Sequence, residues 1–167
     1  MFSKGDYIIY GNSGVCKVEQ VGPIEDRNFD DGRIYYTLKP IYIRDSSIMT
    51  PVDNSRVVMR EVMSENEAKE FIKTIPDIGT LDIKDERKID QDYKSALLTC
   101  DPVKIVSMIK TIYFRIEKRE AAGKKATASD SKYFHIAEDS LYGELAIALD
   151  MEKSEVKDYL HDKLSGY

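Results

Sequence analysis

Two histidines, two cysteines and a loop of three aspartates are where this 167-residue chain could hold catalytic or metal-binding chemistry. His135 and His161 do not form a ligand-spaced pair such as H-E-x-x-H. His135 falls inside a helical pattern, as a surface or boundary residue. Cys16 and Cys100 are too few and too far apart for a metal cluster or a disulfide framework. They read as reduced, buried small hydrophobes. Asp26, Asp30 and Asp31 crowd one loop but lack the glycine and backbone-oxygen spacing of an EF-hand, so they read as solvated. No G-x-S-x-G, phosphate-cradling glycine loop or dinucleotide fingerprint occurs. The residues therefore predict a non-enzyme, with no catalytic residues, no metal and no cofactor.

Composition narrows the remaining classes. No apolar run approaches the ~20 residues of a membrane span, and the N-terminus lacks a signal-peptide pattern. A cytoplasmic protein without a membrane partner is expected. The net charge of −5 argues against wholesale polyanion binding, but its distribution is uneven. Residues 1–85 carry 11 Lys/Arg against 15 Asp/Glu, residues 86–132 carry 11 against 7, and residues 133–167 carry 3 against 8. The middle block is a basic island between acidic ends, which a solvated helix face or a nucleic-acid surface would both explain.

The elements that must position these residues change character along the chain. Tyr7 to Tyr10 is β-branched and aromatic, Gly11-Asn12-Ser13-Gly14 supplies turn residues, and Val15 to Val21 alternates imperfectly. Asp31-Gly32 is a hairpin signal, Arg33 to Ile43 is a strand interrupted at Pro40, and Ile48-Met49-Thr50-Pro51 and Arg56 to Met59 are two more. Five short strands predict a small twisted β-barrel of the SH3 or Tudor kind. Ser64-Glu65-Asn66-Glu67 is then a capping box, opening a helix that runs to about Thr74. Proline, glycine and charge between 76 and 86 read as the connection between modules.

Helical stripes follow: Tyr93, Ala96 and Leu97; then Ile105, Met108, Ile109, Ile112 and Ile116 behind an Asp101-Pro102 start; then Tyr133, Ile136, Ala137, Ser140, Leu141, Glu144, Leu145 and Ala148; then Val156, Tyr159 and Leu160. The last two helices are expected to open at Ser129-Asp130 and at Ser154. The fold class is α+β: residues 1–62 a Tudor-like domain, 63–86 a helix and linker, 87–167 an all-helical bundle domain.

The opening residues also resemble a family. Gly5-Asp6, Ile9-Tyr10, Gly14-Val15 and Glu19 stand where CarD-like bacterial transcription regulators have G-D-x-V-V-Y-P-x-H-G-x-G-x-V-E. That pattern is shared with the polymerase-interacting module of transcription-repair coupling factors. Gly11 stands at the usual proline, Ser13 at the usual histidine and Cys16 at a frequent glycine. Further on, Tyr93-Lys94, the Asp101 to Lys110 rhythm and Gly143-Glu144-Leu145-Ala146 are similar to later family motifs. The resemblance implies that Ile48, Met49, Thr50 and Pro51 dock on the β subunit of RNA polymerase, with Met49 where some members carry an arginine. From the residues alone, Ile48 and Met49 as barrel filling is the favoured reading.

For the helical part, the resemblance implies promoter-DNA contact. Ile89 stands at the position of a tryptophan wedge, and Gln91-Asp92 replaces a basic pair. Lys88, Ile89, Tyr93, Lys94, Lys124 and Lys125 are the expected DNA-contacting residues. The function implied is a monomeric regulator that holds RNA polymerase and modulates open-complex stability through weak, sequence-tolerant DNA contact. The alternatives are a polymerase-bound adaptor whose helical domain binds another protein, and a stand-alone Tudor-like peptide binder.

Overall fold

Gly11 sets the first hairpin. Between β1 (Tyr7–Tyr10) and β2 (Val15–Gly22), residues Gly11–Ser13 form a 3-10 turn, with φ of +45° at Gly11 and +67° at Gly14. A Cβ on Gly11 would lie 2.7 Å from Val57 Cγ1. Proline, with φ held near about −65°, cannot adopt this turn, so the turn needs the glycine at position 11.

The computed structural model describes residues 1–25 and 31–166. The chain is α+β, an antiparallel five-stranded sheet followed by helices. β3 (Tyr35–Pro40), β4 (Ile48–Pro51) and β5 (Met59–Glu61) complete the sheet, in the order β4-β3-β2-β1-β5. Among the described residues the ladder does not close between β4 and β5, so both are edges. β3 and β5 are shorter or later than their expected runs. The loop containing Asp26 and Asp30 lies outside the described residues. Asp31 accepts from the Arg33 amide at 3.0 Å and from the Tyr35 hydroxyl at 2.6 Å.

The imperfect alternation of β2 has a single cause. Register with β3 shifts between Val18 and Gln20, so Glu19 is an extra, bulged residue. The bulge carries Val21 to the face already occupied by Cys16 and Val18. Val21 thereby packs on the head core of Ile8, Cys16, Val18, Tyr36 and Leu38.

The chain divides into two compact units, Met1–Val62 and Met63–Tyr167. The second holds α1 (Glu65–Thr74), α2 (Ile89–Leu98), α3 (Pro102–Ala121), α4 (Ala128–Ala148) and α5 (Lys153–Leu164). Ser64 and Glu67 form the expected capping box, and the Asp101 carboxylate accepts from the Val103 amide at 2.9 Å. α4 begins earlier than expected: Thr127 caps it by accepting from the Asp130 amide at 3.0 Å, which frees the Asp130 side chain to turn inward. Glu152 rather than Ser154 precedes α5.

The stretch 76–86 is not a bare connection. Lys110 Nζ donates to the carbonyls of Ile75, Pro76 and Ile78 at 2.6, 3.1 and 2.6 Å. Thr111 Oγ1 accepts from the Leu81 amide at 2.8 Å, and Arg115 grips Glu86 at 2.7 Å. Ile78, Leu81 and Ile83 pack on the helical core. Three polar side chains of α3 thus fasten the segment in sequence order, and burial of its alternate apolar residues holds it there. Within the same unit, buried Glu144 accepts from the Met63 amide at 3.1 Å, tying the start of α1 to α4.

Candidate interaction surfaces

β4 is the edge strand that its composition and its proline imply. It pairs with β3 alone, with Met49 opposite Thr37 and Pro51 opposite Tyr35. The Val52 amide donates to the Ile34 carbonyl at 3.0 Å. Antiparallel bonding alternates along a strand, so Ile48 and Thr50 turn their backbone groups to β3 and Met49 turns its own outward. Pro51, which has no amide to donate, falls at an outward position where none is needed.

The four residues are not equivalent. Met49 is 52% exposed, whereas Thr50 is 1% exposed and its hydroxyl accepts from Asn54 Nδ2 at 2.9 Å. Ile48 packs on the head core, and Pro51 is half-buried. Thr50 and Ile48 therefore hold the strand while Met49 presents it. Met49 borders a hollow of ≈ 250 Å³ together with Gln20, Pro23, Tyr35 and Thr37. Gln20 was missed in the sequence because the bulge at Glu19 decides its face, and Tyr35 and Thr37 because only the β3–β4 register sets them beside Met49.

The expected DNA-contacting residues divide sharply. Lys88 and Lys94 are exposed, at the start and middle of α2. Lys124 and Lys125 are exposed in the connection between α3 and α4. That connection folds back on α3: the Lys124 amide donates to the Arg119 carbonyl at 2.9 Å, and Arg119 Nε donates to the Lys125 carbonyl at 2.8 Å.

Ile89 and Tyr93 are not available to a ligand. Ile89 is 9% exposed and Tyr93 is fully buried. Ile89, Tyr93 and Ala96 follow one another at helical spacing, so the stripe that buries Tyr93 buries Ile89 with it. An isoleucine in that stripe packs with the core, whereas the wedge expectation needs an exposed side chain. Beside Lys88 and Lys94, the solvent side of α2 carries exposed Asp90 and Leu98.

Tyr93 serves a different chemistry. Its hydroxyl donates to Asp130 Oδ1 at 2.7 Å, and its ring lies 5.4 Å from that of Tyr133. Arg115 Nε lies 3.3 Å from both Asp130 oxygens, and its Nη1 reaches Glu86 at 2.7 Å. Burial, with the bond to Asp130, drives the Tyr93 phenol well above its ordinary range. This network joins the residues before α2 to α2, α3 and α4. Its members lie far apart in sequence, and only a buried aspartate at a helix start would have hinted at it. Among the described residues, no three His, Cys, Asp or Glu side chains gather to hold a metal ion. No helix is long and apolar enough to cross a membrane.

Residues 2–63 match the family model of the CarD-like/TRCF RID domain. The head belongs to that family and is an RNA polymerase-interacting module. The match ends where the helical unit begins. No curated protein matches the chain.

Proposed function

We propose that the chain is a bacterial transcription regulator. Its head pairs through β4 with a strand of the RNA polymerase β subunit, and its helical unit contacts promoter DNA to modulate open-complex stability. The observation that carries this reading is the outward-turned Met49 on an unpaired edge of a RID-type head. An added strand would bond the Met49 amide and carbonyl, while Met49 and its neighbouring hollow take a side chain. With methionine at position 49, docking there is apolar rather than ionic.

Lys88, Lys94, Lys124 and Lys125 supply the DNA contacts, and all are contacts to phosphate. Such contacts carry no base information, so binding by a single copy of the chain is weak, salt-sensitive and sequence-tolerant. Polymerase binding supplies the local concentration that makes weak contacts sufficient. A second reading, an adaptor whose helical unit binds another protein, is favoured by Asp90 beside the lysines and by the loss of the wedge.

Two measurements test the proposal. Immobilised chain should retain core polymerase, and Met49→Asp should abolish retention without lowering the melting temperature. Open complexes should live longer with the wild type than with Lys94→Glu, while Lys163→Glu behaves as wild type. Retention without any change in lifetime would favour the adaptor, and no retention would overturn the docking.

A further inference from the structure

A groove in the helical unit has an apolar floor and a rim of one charge. Val106 and Ile109 of α3, Leu141 of α4, and Leu160 and Leu164 of α5 line a hollow of ≈ 440 Å³. Its charged or titratable lining groups are Lys110, Lys157 and His161, together with the Tyr142 phenol, and it contains no carboxylate. Lys157 and His161 come from the acidic end of the chain, where residues 133–167 carry 8 Asp/Glu. α5 segregates its polar residues: Lys157 and His161, four apart, edge the groove, while exposed Asp158 and Asp162 lie outside its lining.

A neighbouring hollow makes the contrast. Between α1 and α5, Lys69 and Lys73 also line a cavity, of ≈ 540 Å³. There Lys69 pairs with Glu65 and Lys73 with Glu70, and the third lysine, Lys163, lies over the Tyr159 ring with Nζ 5.5 Å from its centroid. Lys157 and His161 form no ion pair among the described residues. Lys110 is held by three carbonyls and contributes a fixed positive charge. The nearest phenol is also committed, because the Tyr142 hydroxyl donates to Glu138 at 3.1 Å.

The apolar floor continues out of the groove along α3. Val106, Ile109 and Tyr113 lie at i, i+3 and i+7, and Tyr113 is 49% exposed. This stripe extends about 10 Å along the helix axis.

We propose that this groove binds an amphipathic helix of a partner protein, with apolar anchors on α3, α4 and α5 and a carboxylate facing Lys157 and His161. Charge complementarity selects this occupant: the rim is cationic and free of carboxylates, while the floor is too apolar to seat a phosphate backbone. The site is separate from Lys88, Lys94, Lys124 and Lys125, and the proposal stands without the DNA reading.

The test uses the full chain and a displayed library of random peptides about 15 residues long, ~22 Å when helical. Selection on the wild type, followed by counter-selection on a Lys157→Glu/His161→Glu double variant, should enrich apolar residues at i, i+3 or i+4 and i+7 with an Asp or Glu beside them. Selected peptides should bind the double variant about tenfold more weakly. Their amide shift changes should centre on Ile109, Leu141 and Leu160. Both substituted side chains are exposed, so the variant should melt with the wild type, which separates lost binding from lost fold. Failure to select any peptide, peptides without carboxylates, equal binding to both chains, or shifts centred on β4 would each overturn the proposal. Displacement of the peptide from these residues by duplex DNA would overturn it in favour of a nucleic-acid site.

Discussion

The Lys110 ammonium donates to the carbonyl of Ile75 across 2.6 Å, binding the end of α1 to the middle of α3. The same nitrogen holds the Ile78 carbonyl, so one side chain gathers both ends of the turn that follows α1, whose Ile75 carbonyl also accepts from the Ile78 amide at 3.2 Å. A charged donor with several carbonyl partners is worth more than a neutral one.

Lys110→Met keeps the stem and removes the donor. Loss of charge-assisted bonds is expected to cost about 2–3 kcal/mol. The Leu81 amide, held by Thr111 further along the same segment, should exchange faster with solvent in the variant. Hydrogen exchange with urea unfolding reads both effects. An unchanged Leu81 exchange rate would mean that the Ile78, Leu81 and Ile83 contacts hold the segment unaided.

Ile89→Ala should behave as a core truncation. The side chain is 9% exposed within the helical core, so the expected cost is about 2–4 kcal/mol. Polymerase retention by the head should be unaffected. Any shortening of open-complex lifetime should vanish below the temperature at which the variant begins to unfold. A shortened lifetime in a fully folded variant would restore Ile89 as a DNA contact.

Alkaline pH should act on the two units in different windows. Burial pushes the Cys16 thiol from 9.0 up to about 11. A group that holds its proton more tightly when folded stabilises the fold below its unfolded pKa and loses that contribution as pH rises. The head should therefore weaken by about 2–3 kcal/mol between roughly pH 9 and pH 11. Tyr93 and Tyr142 are raised by burial and by their bonds to Asp130 and Glu138, so loss from the helical unit begins only above the ordinary phenol value of 10.0. Denaturant midpoints of each unit against pH measure this, and Cys16→Ala should flatten the head's curve.

Gly11→Ala should destabilise the head by about 1–3 kcal/mol, because it places a side chain at positive φ. The Cβ also meets Val57 Cγ1 at 2.7 Å. Gly14→Ala has open space around it and suffers only the backbone cost. Thermal melting of the two variants should place Gly11→Ala lower. Equal melting would mean that Val57 moves aside freely.

Periodicity alone determined the class of this protein. The change from short β-branched runs to 3.6-residue stripes separates a sheet from helices at Ser64, because each pattern buries its apolar face in one backbone conformation only. The capping box at Ser64 and the Asp101-Pro102 start were equally local, and each could be read from neighbouring residues. Tertiary structure decided what no local pattern contains. The bulge at Glu19 chose the face of Val21, because a one-residue shift in pairing reverses every side chain beyond it. Residues 76–86 have the composition of a linker, yet α3 supplies the partners that make them part of a core. Ile89 and Tyr93 carried a surface role by resemblance, but Asp130 and Arg115, distant in sequence, turn that stripe inward. A buried hydroxyl and a buried carboxylate must find each other, and only the fold determines which ones meet.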